Sequence, residues 1–108
     1  MVFDIDGKTL KSWIDNNKEI IIVDARDPKD YKKAHIPGAV PLLNAEVEKK
    51  ASEILRKNTP VVVYSNDENC PASGLVAKKL DNLGYYPVYD YNPSYADWLK
   101  LGYPVENN

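Results

Sequence analysis

The chain has 108 residues, of which 44% are hydrophobic and 28% are charged, a composition typical of one globular domain. Its net charge of −2 provides no basic surface for phosphate backbones, which argues against nucleic acid as a partner. The single cysteine cannot form an internal disulfide, and the longest aliphatic run, residues 20–23, is far too short for a membrane helix. We therefore expect one domain over residues 1–108, located in the cytoplasm and without a membrane partner.

Segments that resemble strands and helices alternate along the chain. Strands are predicted at residues 2–5, 20–23, 39–42, 61–64 and 87–91. The runs 20–23 and 61–64 are continuous and mostly β-branched, as expected for strands buried on both faces of a parallel sheet. These two strands are therefore predicted to be central, and 2–5 is predicted to be an edge strand.

Between the strands, apolar residues recur at helical spacing. The first helix starts behind Asp6, Asn44 is predicted to cap the second, and Gly84 is suited to end the third. Ser94 and Asp97 resemble a capping box for the last helix. The predicted apolar stripes are Leu10, Trp13 and Ile14; Val47, Ala51, Ile54 and Leu55; Leu75, Val76, Leu80 and Leu83; and Trp98 and Leu101. This alternation predicts an α/β fold with a mostly parallel sheet and helices on both faces.

The loop after the strand at 61–64 contains the only cysteine. In open α/β sheets, ligands bind beyond the carboxyl ends of the strands, and this strand is predicted to be central. Cys70 and Pro71 lead into the third helix, where unpaired backbone amides stabilise a thiolate or a persulfide. The candidate site therefore consists of a catalytic Cys70 and of the loop residues Ser65, Asn66, Asp67, Glu68, Asn69, Pro71, Ala72 and Ser73.

Cys70 also has a purely structural interpretation, since cysteine is among the most frequently buried residue types. Asp67 and Glu68 would repel an anionic substrate, and the loop has no lysine or arginine to offset them. Position alone leaves the reactive and the packed thiol equally open. One cysteine and one histidine fall short of the usual metal ligand sets, so neither a metal nor another cofactor is expected.

Residues 20–42, IIIVDARDPKDYKKAHIPGAVPL, resemble the signature of the rhodanese family. In that signature a strand ends in Asp-x-Arg, a short helix follows, and a turn like His-Ile-Pro-Gly-Ala leads to the next strand. The resemblance continues through the strand at 61–64, the turn at 83–85, Trp98 and the segment 102–105. It implies one rhodanese-like domain over the whole chain, with a three-layer α/β/α fold and a five-stranded parallel sheet. It also implies transfer of sulfane sulfur through a cysteine persulfide, with thiosulfate, polysulfide or a protein persulfide as the donor.

The chain departs from the family pattern at three places. Ser65 stands where active members usually carry a cysteine directly after the fourth strand, and Cys70 corresponds to the second cysteine of members with a longer loop. The Gly-Gly pair that often precedes the tryptophan is replaced by residues 92–95, Asn-Pro-Ser-Tyr. Asp24 and Arg26 either help to hold an anionic donor or anchor neighbouring segments by hydrogen bonds; we favour anchoring, because buried charges are usually paired.

Three functions are compatible with these features. A sulfurtransferase or sulfur carrier is supported by Cys70, and a catalytically silent rhodanese-homology module with a binding or regulatory role is supported by Ser65 and the acidic loop. A phosphatase or arsenate reductase is disfavoured, because no arginine between Ser65 and Leu80 could neutralise an oxyanion. We favour sulfur chemistry, since a lone cysteine in this loop would be a coincidence in a silent module.

Overall fold

The computed structural model describes residues 1–107, which contain five strands, five α-helices and one 3-10 helix. The strands are β1 (Val2–Asp4), β2 (Ile21–Asp24), β3 (Val40–Pro41), β4 (Val61–Tyr64) and β5 (Val88–Asp90). The α-helices are α1 (Gly7–Asp15), α2 (Pro28–Lys33), α3 (Val47–Ile54), α4 (Ala72–Asn82) and α5 (Ser94–Lys100), and the 3-10 helix is Asn44–Glu46. Every predicted strand is present, with its ends within one residue of the expected positions.

The five strands form one parallel sheet in the order β1-β5-β4-β2-β3, which confirms the predicted fold class. β4 lies at the centre, between β5 and β2, and β1 forms one edge. In the register of the sheet, Val63 pairs with Val23 on one side and with Asp90 on the other. The carboxyl ends of the three inner strands therefore lie side by side.

Helices cover both faces of the sheet. β4 contributes Val61 and Val63 to one apolar cluster, and Val62 and Tyr64 to a second cluster on the opposite face. The first cluster also contains residues of α3 and α4, and the second contains residues of α1 and α5. All four residues of β4 are fully buried, which explains why its sequence is continuously apolar rather than alternating.

Two of the predicted helix caps are wrong. Asn44 opens the 3-10 helix Asn44–Glu46 that precedes α3, so it does not cap α3 itself. Ser94 does not form a capping box with Asp97. Instead the Ser94 hydroxyl donates to the Tyr91 carbonyl at 3.0 Å, and the Asp97 carboxylate accepts from the Tyr91 hydroxyl at 2.6 Å. In the second case, contacts outside the helix replace the pairing expected from local sequence.

The buried face of α4 differs from the predicted stripe. Leu75 and Leu83 are 49% and 40% exposed, whereas the buried residues of this helix are Ser73, Val76, Ala77 and Leu80. The core face is therefore narrower than the stripe and rotated towards smaller side chains. Gly84 follows the helix with φ of +94°, so it supplies the left-handed residue expected at this end.

The turn of the signature segment is held by a buried histidine. The Nδ1 atom of His35 lies 2.8 Å from the Tyr31 carbonyl oxygen, and the two rings stack at 3.9 Å between centroids. The backbones of His35 and Glu106 exchange two hydrogen bonds, so the closing segment of the chain is fixed against this turn. This arrangement supports the structural role expected for His35, because its ring nitrogen is occupied by a backbone carbonyl.

Candidate active site

Ser65 occupies the end of the central strand. β4 ends at Tyr64, and the next residue is fully buried at the carboxyl edge of the sheet, on the side where the sequence predicts a site. The loop that follows leads to α4, and its residues Asn66, Asp67, Glu68 and Asn69 are exposed. Ser65 therefore lies at the base of the candidate site, beneath an acidic and solvent-facing loop.

The loop has a defined conformation of its own. Asp67 accepts hydrogen bonds from two backbone amides, with its side chain from Asn69 at 3.0 Å and with its carbonyl from Cys70 at 3.1 Å. Helix α5 holds the other end of the loop, because the Tyr95 amide donates to the Ser65 carbonyl at 3.1 Å and the next amide donates to the Asn66 carbonyl at 2.9 Å. The position of Cys70 relative to Ser65 is therefore fixed from both sides.

Cys70 carries a free thiol and is half-buried at the rim of the loop. It lies one residue before the N-cap of α4, which is Pro71 with φ of −77°. The Pro71 carbonyl accepts from the Leu75 amide at 3.1 Å, so the helix begins one residue later than the sequence suggests. The remaining predicted site residues lie in the first turn of α4, where Ala72 is half-buried and Ser73 is buried.

Ser94 is a site residue that the sequence analysis assigned to a helix cap. It is fully buried, has φ of +64°, and brings its side chain to Ser65. The Ser65 amide donates to the Ser94 Oγ at 3.1 Å, and the two Oγ atoms are 3.4 Å apart. The signal available in the sequence was its place in the segment that replaces the family's Gly-Gly pair, since glycine commonly marks a position with positive φ.

Asp24 and Arg26 form a buried ion pair at the end of β2. The Arg26 Nη2 atom is 2.9 Å from the Asp24 Oδ2 atom and also donates to the Ala34 carbonyl at 2.6 Å. The Tyr64 hydroxyl donates to the same Asp24 oxygen at 2.5 Å. Burial, together with the Asp24 carboxylate, raises the pKa of Tyr64 well above its usual range. Because Arg26 is only 5% exposed, the geometry favours anchoring over capture of a dissolved donor.

Two acidic grooves adjoin the loop and meet at Pro93. The first, of about 410 Å³, is lined by Asp67, Glu68, Pro93, Ala96, Asp97 and Lys100. The second, of about 640 Å³, is lined by Asp4, Ile5, Asp6, Asp90, Asn92 and Pro93. Burial raises the pKa of Asp90, and the nearby Asp4 carboxylate acts in the same direction. The approaches to the site therefore carry six carboxylates and a single lysine, so an anionic substrate meets a repulsive field.

Within residues 1–107, no group of three or more histidine, cysteine, aspartate or glutamate side chains could hold a metal ion. The same residues include no helix that is both long enough and apolar enough to cross a membrane. The longest helix, α4, has 11 residues. The chemistry available at this site is therefore that of the thiol, the hydroxyls and the backbone amides.

Comparison with known proteins agrees with this geometry. Residues 6–101 match the model of the rhodanese-like domain. The chain is 33% identical over 85 residues to the thiosulfate sulfurtransferase GlpE of Tolumonas auensis, covering 79% of this chain and 76% of GlpE. It is 30% identical over 95 residues to the putative sulfur carrier protein YrkF of Bacillus subtilis, covering 88% of this chain. This chain spans about half the length of YrkF, since the match covers 50% of that protein.

The fold is shared with a solved rhodanese-like structure. The rhodanese-like domain of the Alr3790 protein from Anabaena superposes with a TM-score of 0.87 at 26% sequence identity, covering 100% of this chain and 81% of that domain. Both the sheet and the position of the loop after the fourth strand follow from this shared architecture. On the match over residues 6–101 and the parallel five-stranded sheet, the chain belongs to the rhodanese-like domain family.

Proposed function

We propose that this rhodanese-like domain carries sulfane sulfur as a persulfide on Cys70. The observation that carries the proposal is a free, half-buried thiol at the carboxyl edge of the central strand, just before a helix N-terminus. Amides and the helix dipole at such a position favour the thiolate, which is the reactive form of cysteine. Relatives named as a sulfur carrier and as a thiosulfate sulfurtransferase support the reaction class. A lone thiol of this kind remains free in a reducing compartment such as the cytoplasm.

The proposed reaction has two steps that balance without an external oxidant. The Cys70 thiolate attacks the terminal sulfur of a persulfide or polysulfide, a new sulfur–sulfur bond forms, and the donor leaves as a thiolate. An acceptor nucleophile then attacks the outer sulfur of the Cys70 persulfide. The Cys70 sulfur takes back the electron pair and is released as a thiolate, ready for another cycle.

The charge around the loop favours some donors over others. Thiosulfate is a dianion and would approach Cys70 past Asp67 and Glu68, both of which are exposed. The adjoining groove adds Asp97 and only Lys100 as a counter-charge. We therefore propose polysulfide or a protein persulfide as the working donor, with thiosulfate as a poor one.

The test is to incubate the folded protein with polysulfide and, separately, with thiosulfate, and to measure its intact mass. We expect polysulfide to add the mass of one sulfur atom, which cyanide removes, and thiosulfate to add it more slowly. Cys70→Ser should abolish the addition, whereas Ser65→Ala should retain it because the hydroxyl is not the nucleophile. A folded protein that takes up sulfur from neither donor would contradict the proposal.

A charge variant tests the donor preference separately. Glu68→Gln removes one exposed carboxylate from the loop and should speed thiosulfate loading roughly twofold to fivefold at low salt. Glu53→Gln makes the same change on the exposed side of α3 and serves as the matched control, with no expected effect. Equal rates for Glu68→Gln and the unmodified protein would remove the electrostatic argument.

A silent rhodanese-homology module remains the second candidate function. It is favoured by Ser65, which is fully buried and holds the place of the usual nucleophile. A domain of this kind would use its acidic grooves for binding rather than for catalysis. Absence of sulfur loading on Cys70, with the fold intact, would favour this function over the carrier.

A further inference from the structure

Ser94 adopts a backbone conformation that is uncommon for a residue with a side chain. Its φ of +64° lies in the left-handed region, which glycine enters freely and other residues rarely enter. The residue is nevertheless a fully buried serine at the start of α5. Such a conformation persists only where the surroundings fix it, so the contacts of the Ser94 side chain are the place to look for its role.

The hydrogen bonds of Ser94 settle the direction of its hydroxyl proton. Its Oγ donates to the Tyr91 carbonyl at 3.0 Å, and a carbonyl can only accept. The same Oγ accepts the amide hydrogen of Ser65 at 3.1 Å. The one proton of Ser94 is therefore used, and its oxygen presents lone pairs to Ser65.

The Ser65 hydroxyl is consequently flanked by two acceptors. The Ser94 Oγ is 3.4 Å away, and the carbonyl oxygen of Cys70 is 3.5 Å away. Both distances exceed the usual O–H···O length of about 2.8 Å, so the space is larger than a hydroxyl requires. A sulfur atom would fit there by size, but an ionised sulfur would face oxygen lone pairs instead of hydrogen-bond donors.

We propose that Ser94 is a positioning residue that restricts position 65 to a hydrogen-bond donor, excludes an anionic sulfur from the end of β4, and leaves sulfur transfer to Cys70. Ser94 acts in two ways at once. Its oxygen occupies the backbone amide of Ser65, and it places an acceptor beside the side chain of that residue. The part of this inference that concerns Cys70 rests on the proposed function, whereas the effect at position 65 does not.

The experiment places a thiol at position 65 and varies its neighbour. Ser65→Cys is made in a Cys70→Ser background, alone and together with Ser94→Gly or Ser94→Ala. The rate of iodoacetamide alkylation is measured against pH to obtain the thiolate fraction of the introduced cysteine. Removing the Ser94 hydroxyl by either route should increase the thiolate fraction at pH 7 by about tenfold, because an acceptor is lost and an amide donor is freed.

The two replacements at position 94 separate positioning from stability. Ser94→Gly relieves the positive φ, whereas Ser94→Ala keeps a Cβ in that conformation, so their melting temperatures should differ. Their thiolate fractions should nevertheless agree, since both lack the hydroxyl. A change in melting temperature with an unchanged thiolate fraction would overturn the proposal. Because these variants lack Cys70, failure of the carrier proposal cannot produce that result.

A measurement on the unmodified protein needs no variant to fold. The amide hydrogen of Ser65, held by the Ser94 oxygen, should exchange slowly with solvent in nuclear magnetic resonance experiments, at a rate near that of the buried Val63 amide. The exposed Asn66 should exchange much faster. Fast exchange of the Ser65 amide in the folded protein would show that Ser94 does not hold it, and the inference would fail.

Discussion

At the scale of single residues, the Tyr64 hydroxyl joins three separate segments. It donates to the Asp24 carboxylate at the end of β2 and accepts the Ile36 amide of the signature turn at 3.1 Å. The ring itself is fully buried at the end of β4, directly before Ser65. The base of the candidate site is therefore supported by a polar network as well as by apolar packing.

Tyr64→Phe should be strongly destabilising. The change leaves the Ile36 amide and one Asp24 oxygen without this partner in a buried setting, at a cost of about 2–3 kcal/mol. Urea unfolding of the two proteins would measure the difference. Tyr86→Phe removes a hydroxyl from a side chain that is 59% exposed and should change stability by less than about 0.5 kcal/mol. Similar values for the two variants would contradict the proposed support.

Residue-level prediction succeeded at Cys70 and failed at Ser94 for a physical reason. The parallel sheet determines the edge at which a loop after β4 must lie, so the place of Cys70 follows from periodicity alone. The role of Ser94 depends on Ser65, 29 positions away along the chain. A Ser-x-x-Asp pattern favours a local cap, and only the tertiary contact decides otherwise.

At the scale of elements, the strands were predicted more accurately than the helices. β2 and β4 are buried on both faces, so nearly every residue in them is apolar and the pattern has one interpretation. α4 is amphipathic, and two exposed leucines, Leu75 and Leu83, lie beside its true core face. Exposed leucines are common on protein surfaces, which is why a count of apolar positions misplaces the stripe.

The two glycines around α4 should respond oppositely to alanine. Gly84 has φ of +94°, so Gly84→Ala should destabilise the protein by about 1 kcal/mol. Gly74 lies inside the helix, and an added Cβ would meet the Asp90 Oδ2 atom at an ordinary contact distance of 3.5 Å. Gly74→Ala should therefore stabilise the protein by about 0.5 kcal/mol. Thermal unfolding would detect both changes, and equal signs would refute this account of α4.

At the scale of the whole molecule, carboxylates are concentrated at one edge of the sheet. Asp4, Asp90 and Asp6 lie at or just beyond the ends of β1 and β5 and line the same groove. They differ in environment, since burial raises the pKa of Asp90, while hydrogen bonding from Thr9 lowers the pKa of Asp6. Neighbouring carboxylates should therefore make opposite contributions to stability as the pH changes.

Asp90→Asn should stabilise the protein at pH 7. The native state holds the Asp90 proton more tightly than the unfolded state, so ionisation of this group opposes folding at neutral pH. That cost disappears as the pH falls through the native pKa, so the gain in melting temperature should shrink in acid. Asp6→Ala provides the opposite control: it should lower stability at pH 7, with the loss fading in acid. A gain for Asp90→Asn that grows in acid would contradict the sign.

The half-buried position of Cys70 also limits the kind of encounter in which its sulfur takes part. A nucleophile at the depth of Ser65 can be reached only by a small molecule that enters the fold. A sulfur atom at the rim can be touched by the convex surface of another folded protein. Exchange at Cys70 would then be a handover between two macromolecular surfaces, in which no free sulfide escapes into solution.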